Sequence, residues 1–285
     1  MARIEEGPPE LRASIESARR SVAFVLVGYA LFEKASGKPL RFDRVNVNGT
    51  PEPDESGGYP TSIEGSGPVV TSYVTGSGFL VTPSRLVTNR HVVEPWWQDP
   101  SVEAAIERGF EPRHTVMLAY FPNLRRPVEL RAAKRSDEAD VAVMETGVPT
   151  NLSPLTLAPP ERIVRPGDLI AVVAYPAGLS VLLAKADRAV AQRIMDGAGE
   201  DWPALARALA DERLITPLVT VGHVGDVLNN VVYDAATTEG SSGGPVLNAA
   251  GEVIALNYAG MEQFAGARFG IPVRFIHRFL EEQAR

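Results

Sequence analysis

Gly240-Ser241-Ser242-Gly243-Gly244-Pro245 is the stretch on which the interpretation of this chain turns. It places a serine in a glycine-rich turn, and two upstream segments complete it. These are Leu86-Val87-Thr88-Asn89-Arg90-His91 and Ala139-Asp140-Val141-Ala142-Val143. Together they offer a nucleophile, a general base and an orienting carboxylate, in the chain order His, Asp, Ser. That order separates one way of building a serine hydrolase from others.

The chemistry explains why these residue types belong together. A serine hydroxyl is a weak nucleophile at neutral pH and needs a base that removes its proton as it attacks. Histidine, with an intrinsic pKa of about 6.5, suits that role. A carboxylate holds the imidazole tautomer and stabilises the imidazolium that forms. The backbone N–H groups of Gly240 and Ser242 are the expected donors to a tetrahedral oxyanion. Loss of one such donor typically costs about 100- to 1,000-fold in rate.

The same run also satisfies G-x-S-x-G, the nucleophile elbow of another hydrolase fold. That elbow needs a helix directly after the serine, then an acid and a histidine later in the chain. Here Pro245-Val246-Leu247 reads as extended, no aspartate follows Ser242, and His277 is the only later histidine. The context of the motif therefore fails. Asp137 is a competitor for the role of Asp140, and each of the three residues taken singly has a structural alternative. It is their joint occurrence in order that carries the assignment.

The 285 residues are 45% hydrophobic and 22% charged, with a net charge of −7 and no cysteine. This composition is that of a globular protein with a sizeable core. The acidic balance argues against nucleic acid or an anionic membrane as partner. Without cysteine there are no disulfides, no thiolate chemistry and no cysteine-ligated metal. The N-terminus lacks the pattern of a signal peptide, and the longest apolar run, Val22 to Phe32, is too short to span a bilayer. A cytoplasmic location is expected.

Pattern along the chain predicts a helix over 10–20, a strand over 22–32 and a long loop over 36–68. Short strands follow at 69–74, 78–81 and 86–88, then a helix from Ser101 to Gly109 with Ser101 as its cap. Strands resume at 116–121, 128–132 and 141–144, and 146–167 reads as a proline-rich linker. A second set is expected at 169–174, 218–222, 227–233, 246–247, 253–257 and 268–271, with a closing helix over 273–283. Many short strands with Gly and Pro turns argue for a β-sandwich or barrel. Residues 183–214 break the pattern: they read as an inserted helical hairpin, with Asp201 capping its second helix.

These segments resemble chymotrypsin-fold serine peptidases, in particular the bacterial-style branch of HtrA proteases and glutamyl endopeptidases. The resemblance rests on Gly76 to Val81 with Leu86 to Val93, on Ala139 to Val143, and on Tyr233 to Pro245. Gly251 to Asn257, Phe269 to Pro272 and Pro166 to Leu179 match more weakly. It implies an all-β fold of two six-stranded antiparallel barrels, about 21–148 and 166–275, in a single peptidase domain. The site would lie in the cleft between the barrels. The implied activity is peptide-bond hydrolysis through an acyl-enzyme, without cofactor or metal, on protein or peptide substrates. His91, Asp140 and Ser242 would form the triad.

Departures from the family pattern carry information. HtrA proteins place a PDZ module after the peptidase; here the sequence ends at Arg285, so gating by such a module is not expected. Ser241 stands where trypsin-type zymogens carry an activating aspartate. The helical insert falls beside the oxyanion turn, which suggests a device that orders or occludes the site, with a regulatory protein partner as its trigger. Ala236, Thr237, Asn257, Tyr258, Gly260 and Ala267 are the expected substrate-binding residues. They describe a modest pocket for a small or medium uncharged residue, unless Arg268 or Glu239 enters it. Asn257 replaces the histidine by which glutamyl endopeptidases bind acidic side chains. A silent peptide-binding module and an esterase on the same fold remain open alternatives, as does the oligomeric state.

Overall fold

The computed structural model describes residues 9–122, 124–147, 152–258 and 266–283. Helix α1 (Pro9–Arg19) leads into β1 (Val22–Glu33), and a minimal hairpin of β2 (Arg41–Phe42) and β3 (Thr61–Ser62) follows. Next come β4 (Thr71–Thr82), β5 (Arg85–Thr88), α2 (Arg90–Val93), α3 (Pro100–Glu107), β6 (Phe110–Tyr120), β7 (Val128–Arg135) and β8 (Ala142–Thr146). The remaining elements are β9 (Leu169–Ala174), α4 (Gly178–Ala184), α5 (Arg188–Ala198), α6 (Trp202–Asp211), β10 (Leu218–Val227), β11 (Val231–Tyr233), β12 (Pro245–Asn248), β13 (Val253–Tyr258), β14 (Arg268–Pro272) and α7 (Val273–Glu282).

Two closed barrels of six strands result, in the orders β1-β4-β5-β8-β7-β6 and β10-β11-β14-β13-β12-β9. The expected fold class is thereby met. Closure removes free sheet edges, which is how short strands rich in Val, Leu and Ala avoid pairing with other chains. In β1 the residues from Val22 to Val27 are fully buried, and Phe24 packs edge-on against Tyr175 at 5.6 Å between ring centres. A strand buried on both faces reads as a continuous apolar run rather than an alternation. Strand β9 holds the second barrel together, pairing with β10 on one side and β12 on the other.

By contacts the chain forms two compact units. One contains the segments up to Leu26, Thr75–Val93 and Leu118 onward; the other contains Val27–Val74 and Glu94–Met117. The second unit has its own aromatic cluster, in which Trp96 lies 5.2 Å from Tyr29 and 4.8 Å from His114.

Several elements differ from the sequence expectation. The two strands expected at 69–74 and 78–81 are one, β4, which begins at Thr71 and continues through Gly76 and Gly78. The cap of α3 is Asp99, whose carboxylate accepts from the N–H groups of Ser101 and Val102; Ser101 lies inside the helix. An aspartate there also favours the positive helix terminus. The loop over 36–68 carries the β2–β3 hairpin. Strand β10 extends to Val227, so the turn falls at 228–230 rather than 223–226. Within 183–214 the expected helical hairpin is α5 and α6, and a further helix, α4, precedes it after β9, so that the insert comprises three helices. Asp187 and Asp201 cap α5 and α6, accepting from Val190 N and Ala204 N at 2.9 and 3.0 Å.

Candidate active site

His91 lies one residue into α2, three residues past the end of β5. Asp140 lies two residues before β8. Because β5 pairs with β8 in a register that sets Thr88 against Ala142, both side chains emerge at the same end of the ladder. There His91 Nδ1 meets Asp140 Oδ2 at 2.6 Å, and the His91 backbone N–H donates to Asp140 Oδ1 at 3.0 Å. Two bonds to one carboxylate fix the imidazole to its own backbone. Asn89 holds Asp140 in turn, donating from Nδ2 to its carbonyl at 2.8 Å.

The competitor Asp137 does not reach the imidazole. Its side chain is fully exposed and lies 3.7 Å from the Arg90 guanidinium. The other histidines are placed elsewhere. His277 Nε2 meets the Ala158 carbonyl at 2.8 Å, the His223 backbone N–H donates to Asp234, and His114 lies against Trp96 with its ring tilted by 52°.

Ser242 sits three residues before β12, 5% exposed, in a turn where Gly240 and Gly243 take φ of 84° and 87°. These are left-handed angles that side-chain-bearing residues resist. Space forbids a side chain as well: a Cβ on Gly243 would lie 2.0 Å from the Ser77 carbonyl oxygen. A strand, β12, follows the serine, so the nucleophile-elbow geometry is absent.

Ser77, on β4, organises this turn. Its N–H donates to the Ser242 carbonyl at 2.7 Å, and its hydroxyl donates to the Gly240 carbonyl at 2.9 Å. The same hydroxyl accepts from Tyr175 N at 2.9 Å, while the Ser77 carbonyl accepts from Thr88 Oγ1 at 2.7 Å. The residue beside it shows how closely the pieces approach. A Cβ on Gly76 would stand 2.7 Å from a Val92 methyl and 3.3 Å from the Ser242 carbonyl oxygen. Val92 adjoins His91, so the β4 backbone at Gly76 is wedged between the histidine's helix and the serine's turn.

The N–H groups of Gly240 and Ser242 donate to no protein acceptor among the described residues. Their neighbour Glu239 is tied down, its carbonyl accepting from the Ala177 N–H at 2.6 Å. All the peptide bonds described are trans, so C=O and N–H of one peptide point in opposite directions. Anchoring the Glu239 carbonyl at Ala177 therefore turns the Gly240 N–H away from it. Ala177 itself adopts φ 51°, a left-handed angle at the junction of β9 and α4.

The expected substrate-binding residues are placed unevenly. Ala236 is exposed and Thr237 is 6% exposed, while Tyr258 and Ala267 are half-buried. Gly260 lies outside the described residues. Asn257 is 1% exposed and spends its side chain on the protein: Nδ2 donates to the Ser241 carbonyl at 2.8 Å, and Oδ1 accepts from the Tyr233 hydroxyl at 2.5 Å. Burial pushes the Tyr233 pKa far up, so the hydroxyl keeps its proton for that bond. Tyr258 is also raised, by burial and then by the nearby Asp140 charge.

The roles of Ser77, Ala177 and Tyr233 were not legible in sequence. Each acts through a backbone atom or a hydroxyl brought from a distant segment, and no local pattern marks that.

The model of the trypsin-like peptidase domain matches residues 76–256. Serine protease HTRA1A of Danio rerio is 25% identical over 209 residues, which is 73% of this chain and 34% of that protein. The mitochondrial serine protease HTRA2 of Drosophila grimshawi is 44% identical over 57 residues, 20% of this chain and 13% of that protein. The chain thus spans about a third or less of these relatives. The solved structure of the serine endoprotease from Yersinia pestis shares the fold, with a TM-score of 0.54 at 17% identity, covering 97% of this chain and 67% of that one. The family match covers more than half of the chain, including His91, Asp140 and Ser242, and the chain belongs to the trypsin-like peptidase domain family.

Proposed function

We propose that this protein is a serine endopeptidase that cleaves peptide bonds through an acyl-enzyme. The observation that carries the proposal is the 2.6 Å bond from His91 Nδ1 to Asp140 Oδ2. With Nδ1–H donating a hydrogen bond to the carboxylate, the imidazole presents the lone pair of Nε2 as a base. His91 takes the Ser242 proton as Oγ attacks the substrate carbonyl. The resulting imidazolium is stabilised by Asp140 and passes its proton to the leaving amine. Water then attacks the acyl-enzyme by the same route in reverse. The unengaged N–H groups of Gly240 and Ser242 are the donors to the oxyanion, held ready rather than formed on demand.

The three-helix insert supports a regulated site. α4 starts one residue after the Ala177 N–H that anchors Glu239, and it packs on α6. The insert therefore orders the oxyanion turn through that anchor, and a protein partner seated on α5 and α6 would act through it.

The test is labelling of the full chain with a fluorophosphonate, combined with hydrolysis of matched amide and ester substrates. Labelling and amide cleavage that vanish in Ser242→Ala and His91→Ala are the expected result. Wild-type protein that labels under no condition would leave a binding module in its place. Cleavage of esters alone would make it an esterase.

A further inference from the structure

Arg268 opens β14, with Tyr233 of β11 as its ladder partner. Its Nε donates to the Thr237 carbonyl at 3.0 Å, and one Nη donates to the Ala267 carbonyl at 3.3 Å. A guanidinium carries five N–H donors. Two are engaged here, and the other three meet no protein acceptor among the described residues. They lie at the Nη end, the fork that matches a carboxylate.

No carboxylate among the described residues forms an ion pair with this half-buried cation. Carbonyls orient a guanidinium but do not neutralise it, and removing a charge from water without a counterion is costly. This occurs in a chain with 35 acidic residues against 28 Lys and Arg. The adjacent ionisable group, Tyr233, stays neutral. The exposed Glu239 makes no pair with Arg268 despite standing two residues from Thr237. The position matters as much as the charge. Thr237 lies five residues before Ser242, and Ala267 lies on the opposite stretch of the expected substrate pocket.

We infer that Arg268 determines specificity, receiving the carboxylate of a glutamate or aspartate that precedes the scissile bond. The inference rests on the endopeptidase proposal above. It replaces the expectation of an uncharged residue there, and it supplies by an arginine what the missing histidine at position 257 does not.

Fluorogenic peptides that differ only in the residue before the scissile bond (Glu, Asp, Gln, Ala, Val or Lys) test it on the full chain. Glu and Gln are near-isosteres, so their ratio isolates the charge. The expected kcat/KM ratio of Glu to Gln is about 100-fold, the scale of one desolvated charge pair. In Arg268→Gln the ratio should fall to near one; in Arg268→Lys it should be intermediate. The ratio, not the absolute rate, is the readout, and the wild-type value stands even if a variant fails to fold. Wild-type enzyme that labels with fluorophosphonate yet shows a ratio below about threefold overturns the inference alone. So does a ratio unchanged in Arg268→Gln, which would leave Arg268 as a staple for Thr237. Failure to label would overturn the endopeptidase proposal, and this inference with it.

Discussion

At the scale of single residues, Asp140 and Asp137 make a natural contrast. They lie three positions apart and carry the same group, yet one is bonded twice to His91 and the other is fully exposed. Asp140→Asn should lower kcat by about 10,000-fold, because an amide that donates toward Nδ1 selects the wrong tautomer. Asp137→Asn should change kcat/KM by less than about fivefold, the worth of an exposed ion pair. Steady-state assays of both variants check the pair of expectations. Gly243→Ala combines a left-handed backbone with a contact of 2.0 Å to the Ser77 carbonyl. It should cost about 2–4 kcal/mol of stability, measured by urea titration in a Ser242→Ala background to prevent self-digestion.

At the scale of elements, the insert is the part with the most to say about control. α4 buries Leu179 and Leu182, α6 buries Leu205 and Leu209, and Lys185 at the end of α4 bonds the Thr216 carbonyl at the start of the return chain. Burial, and secondarily Arg19, lowers the Lys185 pKa. Tyr120, at the end of β6, is pushed up to about 12 by burial, with Arg207 and Asp201 of the α6 region among the charges it senses. The insert is thus packed into the protein rather than standing off it. Replacing 185–212 by a short linker should strip α4 of that support and slow fluorophosphonate labelling at least tenfold, about 1.4 kcal/mol in the barrier. Unchanged labelling would sink the ordering role, and faster labelling would make the insert an occluding element.

At the scale of the whole molecule, α1 closes the second barrel. Its Leu11 and Ala18 are 3% and 2% exposed, it packs on β9, and the hydroxyl of Ser14 meets the Ala250 carbonyl. Leu11→Ala should therefore lower global stability by about 2–4 kcal/mol, seen as a lower urea midpoint with an unchanged slope. No helix among the described residues is long and apolar enough to cross a membrane.

The sequence by itself determined most of the strands, the serine turn and the helix cap at Asp201. All of these are written in short-range pattern: apolar runs of four to twelve residues, glycines where φ must be positive, and an aspartate just before a helix. It also determined the chain order of His, Asp and Ser, which excluded the elbow. It misplaced what depends on neighbours distant in sequence. Residues 75–77 read as a break, but they lie within β4, where at Gly76 and Gly78 a backbone without side chains is needed beside Val92, Ser242 and Leu86. Only the tertiary structure decided which aspartate meets His91, since the register of β5 against β8 makes that choice. Only it assigned Ser77 to both Gly240 and Ser242, and the side chain of Asn257 to Ser241 and Tyr233. It alone placed Arg268 beside Thr237, with no ion-pairing carboxylate among the described residues. Hydrogen bonds between segments more than a hundred residues apart leave no periodic trace in a sequence, because any residue with the right donor can occupy the place that folding creates.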